Sequence, residues 1–144
     1  MYKLLAIIFL AWSASSLAVS KTPSYEYATK GVVCFKNCLW KVLLDQSNLG
    51  GAEVEVVEMV LTAGTETKSH PHGAIEIIYV ISGEVGHEVN GKFVMLTPGM
   101  LGVVRPGDKV RHTVKGENAK ILVVWAPGGE AKRLLDYSSG KPIQ

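Results

Sequence analysis

The sequence predicts an all-β protein, a sandwich or barrel, on three observations. From residue 31 onward the chain is a succession of short runs rich in Val, Ile, Leu and aromatic residues. Turn residues interrupt those runs about every 8 to 12 positions. No long segment carries the 3.6-residue periodicity of a helix.

The elements follow in order. VVCF (32–35) and LWKVLL (39–44) are two candidate strands. AEVEVVEMVLT (52–62) is a third: Val54 and Val56 alternate with Glu53 and Glu55, and the phase slips near Val57. Such a slip marks a bulge or a strand buried on both faces. AIEIIYVI, EVGHEV, KFVML, LGVVR, RHTVK and AKILVVWA complete the set. Between them stand Ser82-Gly83, Asn90-Gly91, Pro98-Gly99, Pro106-Gly107 and Gly116-Glu117-Asn118. Asn90-Gly91 between alternating runs is a two-residue hairpin signal, because both turn positions need positive φ. EAKRLLDY (130–137) fits a short helix or a closing strand.

A length of 144 residues with 47% hydrophobic content matches one domain with a real core. The net charge is +2 and the Lys and Arg residues are scattered. No basic stripe would track a phosphate backbone, so nucleic acid is not an expected partner.

MYKLLAIIFLAWSASSLAVS has the layout of a secretory signal peptide: Lys3, an apolar run, then small residues. Cleavage after Ala18 or Ser20 would leave small residues at the cut. The apolar run is short of the roughly 20 residues a spanning helix needs. The expectation is a signal peptide over residues 1–20, one domain over 21–144 with its core at about 31–127, and a secreted or periplasmic location. No membrane span would remain after cleavage. The polar stretch KTPSYEYATKG reads as an extended arm or edge strand.

Cys34 and Cys38 form an even pair, which favours a disulfide in an exported chain. Along one extended strand their Cα atoms would stand about 13 Å apart, and a bridge wants about 7 Å or less. A disulfide therefore needs a turn at Lys36-Asn37; two free thiols are the alternative.

The chain has four histidines. His70, His72 and Glu76 share a parity, so on a strand they point to one face. Imidazole and carboxylate suit divalent iron, manganese, nickel, copper or zinc. His-x-His by itself also occurs on surface strands, with the carboxylate merely solvated. Val85, His87 and Val89 share an inward parity, so His87 is expected to line the interior. There it is a core histidine bonded to a carbonyl, or a pocket acid/base, or a substitute ligand. Ile78, Val80, Met95, Val123 and Trp125 are expected to fill the rest of the interior. Arg105 and Arg111 are surface charges, or a grip on a substrate carboxylate.

The stretch GTETKSHPHGAIEIIYVISG resembles the first motif of the cupin superfamily, G(x)5HxH(x)3-4E(x)6G, at every defined position from Gly64 to Gly83. The second motif, G(x)5PxG(x)2H(x)3N, is met loosely in GMLGVVRPGDKVRHTVKG. Six residues separate Gly99 from Pro106, His112 falls one position late, and Gly116 replaces the Asn. One inserted turn residue accounts for this, and a shift of strand phase would turn His112 outward. The resemblance implies a cupin-type jelly-roll barrel and a metal held by His70, His72, Glu76 and His112. It further implies a small, commonly dimeric protein similar to the quercetin-dioxygenase-like group.

Cupins include oxidoreductases, lyases, isomerases and non-catalytic binders, so fold alone leaves the reaction open. The expected function is a metal-dependent, dioxygenase-like enzyme on a small oxygen-bearing substrate. Glu76 would act as ligand and proton shuttle, and His87 as a second acid/base. A ligand-binding or sensor module is the alternative.

Overall fold

The computed structural model describes residues 33–35 and 39–138. The expected signal peptide, the expected polar arm and Cys38, and with it the disulfide question, lie outside these residues. Among the described residues, ten strands form two antiparallel sheets. The larger runs β1 (Val33–Phe35), β2 (Trp40–Leu44), β3 (Glu55–Leu61), β10 (Ala119–Ala126), β5 (Ile75–Ser82), β8 (Leu101–Val104). The smaller runs β4 (His70–Pro71), β9 (Lys109–Thr113), β6 (Val85–Val89), β7 (Lys92–Leu96). The final strand returns to the middle of the larger sheet, between β3 and β5. That is the double-sheet jelly roll.

Strand alternation builds the interior. Ile121, Val123 and Trp125 of β10 and Ile78 and Val80 of β5 are buried, with their neighbours turned outward. Val57 and Met59 of β3 join them, and Val85 and Leu96 close the core from the smaller sheet. Burying each such aliphatic side chain contributes about 1.5–3 kcal/mol. Asn90 (φ 49) and Gly91 (φ 80) make the β6–β7 hairpin turn in the predicted conformation.

Several expectations need correction. The inward positions of β3 are Glu55, Val57 and Met59, not Val54 and Val56. The irregularity lies in the facing strand, where register shifts between Val42 and Leu44. Glu55 tolerates burial because its Oε2 accepts from the backbone N–H groups of Gly129 (3.3 Å) and Ala131 (2.9 Å). Those donors open α2 (Glu130–Ser138), so the ambiguous segment is a helix. Met95 faces out and is 38% exposed; it pairs with Gly86, and Leu96 takes the core position. Short α1 (Gln46–Leu49), capped by Asp45, and two-residue β4 carry too little periodicity to be read in advance. Among the described residues no helix is long and apolar enough to cross a membrane.

Candidate metal centre

Four strands and a helix bring the site together. The chain leaves the smaller sheet after Pro71 and enters the larger one at Ile75, so His70, His72 and Glu76 do not share one strand. They converge because the corner between the sheets turns inward; His72 is 2% and Glu76 3% exposed. His112 enters from β9, directly opposite His87 of β6. Both are buried, so the extra residue before His112 does not reverse the strand phase. The turn between Val104 and Lys109 absorbs it, held by Gly107 N–H donating to the His72 carbonyl at 3.0 Å.

Glu76 is the hub. Its Oε2 accepts from the Trp125 indole N–H at 3.0 Å and lies 2.9 Å from His72 Nε2. Its Oε1 lies 3.7 Å from His112 Nε2 and has no hydrogen-bond partner. The 2.9 Å approach is short but poorly directed, so His72 Nε2 is also without a hydrogen bond. The far nitrogens are anchored. His70 Nδ1 lies 2.8 Å from the Lys68 carbonyl, and His72 Nδ1 lies 3.0 Å from Glu130 Oε2. The rings of His70 and His72 stand 4.9 Å apart, and those of His70 and His112 6.4 Å.

Electrostatics separate the histidines. Burial disfavours charge on His72, but Glu130, which accepts from Nδ1, and the adjacent Glu76 carboxylate outweigh it and push the imidazole up to about 9. Burial takes His112 down to about 4, and it also lowers His87 and His70. Burial opposes ionisation of Glu76, yet His72, His112 and the Trp125 N–H hold it below the usual carboxylate range. Against its own burial, His72 and Arg133 bring Glu130 down to about 2.

The donor types suit a divalent ion. A buried carboxylate oxygen and a buried imidazole nitrogen lack partners in one interior, and carbonyl and carboxylate acceptors anchor the opposite nitrogens of His70 and His72. That outer arrangement fixes which ring nitrogen a histidine presents to a metal. Ligands at right angles around an ion with bonds of about 2.1 Å stand about 3 Å apart. His72–Glu76 meets that spacing at 2.9 Å, whereas His112–Glu76 is wider at 3.7 Å. Among the described residues no group of three or more His, Cys, Asp or Glu side chains is arranged to hold a metal ion as it stands.

His87 points inward as expected, but its partner is no carbonyl. Its Nδ1 lies 3.1 Å from His112 Nε2, the rings stack at 5.2 Å, and its Nε2 is unpartnered. It sits beside the Nε2 edge of His112, against Gly102, where an added Cβ would lie 2.9 Å from His87 Nε2. Arg111 bonds Glu66 and Glu88 on the outside, so it does not grip a ligand in the barrel; Arg105 is exposed.

A cavity of about 520 Å³ reaches His70, Glu76 and His112. Its walls are apolar, drawn mainly from Trp40, Met59, Ile78, Ile121, Trp125 and Leu134, with Lys68 and Thr67 also present. Sequence reading missed Glu130, which lies 58 positions from His72. Only its helical spacing to Arg133 was visible, and that identifies an ion pair rather than a site.

Two antiparallel sheets closed around a histidine–carboxylate interior define a small-molecule-sized β-barrel. Residues 57–125 match the family profile described as Cupin domain, and the chain belongs to the cupin superfamily as a single domain. It is similar to an RmlC-like cupin from Shewanella frigidimarina: 21% identity, TM-score 0.59, covering 72% of this chain and 89% of that one. A predicted oxalate decarboxylase from Thermotoga maritima gives 24% identity and TM-score 0.57, over 61% of this chain and 78% of that one. The DMSP lyase DddQ from Ruegeria pomeroyi gives 22% and 0.50, over 53% and 39%. At these identities the likeness establishes the fold. No curated protein matches the chain.

Proposed function

We propose that the chain is an exported cupin that binds a divalent metal through His70, His72, Glu76 and His112 and acts on a small oxygen-bearing substrate. The observation that supports it is the pairing of an unpartnered Glu76 Oε1 with an unpartnered His72 Nε2 in one buried interior. The ion would be iron, manganese, nickel, copper or zinc, and when bound it would supply Lewis-acid activation of substrate oxygens.

The chain's own residues set the rest. The apolar walls receive the body of a phenolic, diketone or organic-acid substrate and exclude water from its oxygen-bearing end. Glu76, kept anionic, is the proton acceptor at the cavity floor. His87 does not line the cavity and contacts His112 at Nε2, so its acid/base part is that of a second proton site beside the ligand. Oxidoreductase, lyase and isomerase chemistry all fit this arrangement, and the dioxygenase-like one is the first to test. Two neighbours described as a predicted oxalate decarboxylase and a DMSP lyase motivate including small organic acids among the substrates.

A non-catalytic binding or sensor module is the second reading. The mainly apolar wall favours it, since only Glu76, His70, His112 and Lys68 bring titratable side chains to the cavity. Metal analysis of protein from its native compartment, followed by oxygen uptake with a phenolic and diketone panel, separates the two. About one metal per chain with substrate-dependent uptake supports the enzyme. Tight ligand binding with no turnover supports the binder, and absence of metal defeats both.

Export is part of the proposal, and fractionation with terminal sequencing tests cleavage near residue 20. A homodimer is also proposed. An apolar strip of Tyr79 and Ile81 on β5 and Leu101 and Val103 on edge strand β8 supports it; each is at least 43% exposed.

A further inference from the structure

The corner that carries His72 has little sheet pairing of its own. Residues 72–74 belong to no strand. Yet Pro71, His72 and Gly73 are each tied to one turn of α2. Glu130 Oε2 meets His72 Nδ1 at 3.0 Å, and Glu130 Oε1 accepts the Gly73 backbone N–H at 3.0 Å. Arg133 Nη2 donates to the Pro71 carbonyl at 2.8 Å. Arg133 also holds Glu130 itself, through Nε at 2.8 Å and Nη2 at 2.5 Å. The helix is fixed from below by Glu55, which accepts from the N–H groups of Gly129 and Ala131. Glu130 is only 6% exposed, so the clamp operates away from solvent.

Resting on the metal-site reading above, we propose that Glu130 is the positioning residue of the centre. By binding the Nδ1 edge of His72 and the backbone beside it, Glu130 turns Nε2 toward Glu76 and the interior. The alternative tautomer is available to the neutral ring: without Glu130, nothing holds the proton on Nδ1, and it can sit on Nε2, 2.9 Å from Glu76 Oε2. A proton there would occupy the nitrogen that a metal needs. The C-terminal helix, although it carries no ligand, thereby decides whether the site is open to metal.

The test uses the full mature chain with Co2+ as the probe, read by its visible absorption, and nitrogen-detected NMR of the metal-free protein. Glu130→Ala is expected to weaken Co2+ binding by about 10–100-fold. Lys132→Ala, on the outer face of the same helix, is expected to leave it unchanged. In metal-free wild type, His72 Nδ1 should carry a slowly exchanging proton that is lost in Glu130→Ala. Should the alanine variant not fold, Glu130→Gln carries the test, because its NH2 must face Gly73 N–H or the His72 ring. It should weaken Co2+ toward the lower end of the same range. Unchanged affinity in a folded Glu130 variant, or an Nδ1 proton that persists in it, overturns the proposal. Wild type that binds no Co2+ sinks the metal reading and Glu130's role in it. The Nδ1 resonance still reports separately whether the His72 clamp exists.

Discussion

Trp125 and Glu76 are register partners on the neighbouring strands β10 and β5, the indole N–H donating to the carboxylate Oε2 over 3.0 Å with both side chains at most 3% exposed. The largest buried aromatic thus also solvates the central charge. Trp125→Phe keeps most of the packing and removes the donor. Hydrogen bonds to charged groups contribute about 1.5–3 kcal/mol. The variant should lose about that much stability, measured as a shift in urea midpoint. An unchanged midpoint would mean that Glu76 does not depend on the indole.

The histidines divide into expected ligands and a supporting one. His72→Ala and His112→Ala should each abolish stoichiometric metal, whereas His87→Ala should retain about one ion per chain, because His87 does not line the cavity that His70, Glu76 and His112 reach. Elemental analysis of the purified variants decides. Equal loss in His87→Ala would make His87 a ligand.

Stability of the metal-free chain should peak near pH 6.5. His112 titrates at about 4 when folded against 6.5 ordinarily, so the unfolded chain binds the proton that the folded chain refuses. Stability therefore falls as pH drops from 6.5 toward 4. Glu130, at about 2 instead of 4.5, adds a further loss as pH falls through that lower range. His72 has the opposite sign. At about 9, the folded chain keeps a proton that the unfolded one releases, and that stabilisation disappears as pH rises from 6.5 to 9. Urea titrations across pH should show both limbs, and His72→Ala should lack the alkaline one. A flat wild-type profile between pH 6.5 and 9 would exclude a charged His72 held between the Glu130 and Glu76 carboxylates.

The two glycines that bound the first motif should differ in tolerance. Gly64 has φ 80 with open space where a Cβ would stand, so Gly64→Ala meets only backbone strain, about 1–2 kcal/mol. Gly83 has φ 74, and a Cβ there would lie 2.6 Å from the Asn118 carbonyl and 2.7 Å from Ala119 Cα. Gly83→Ala should cost clearly more, read as a larger drop in Tm. Equal effects would show that the β5–β6 turn gives way freely.

The exposed pair Tyr79 and Leu101 lies in register across β5 and β8. If this strip joins two copies, Leu101→Lys with Val103→Lys should convert a dimer to a folded monomer in sizing measurements. A wild-type monomer at high concentration would exclude the dimer.

Local chemistry made much of this protein readable in advance. Strand alternation placed Ile78, Val80, Val123 and Trp125 inside, and Asn90-Gly91 specified its hairpin, because each depends on backbone geometry within a few residues. The motif spacing singled out His70, His72, Glu76 and His112, which the fold brings into one interior. Met95 was misplaced because nothing local distinguishes it from Leu96; its pairing with Gly86 decides its face.

The sequence by itself determined the strand rhythm, the turn positions and the donor types, since these follow from periodicity of two and from residues that favour positive φ. Only the tertiary structure decided that Glu130 holds His72 across 58 positions, that His87 meets His112 at Nε2, and that Glu55 is buried to anchor α2. Those relationships join groups far apart in the chain. Their stability comes from desolvated hydrogen bonds that exist only once the two sheets and the helix have closed.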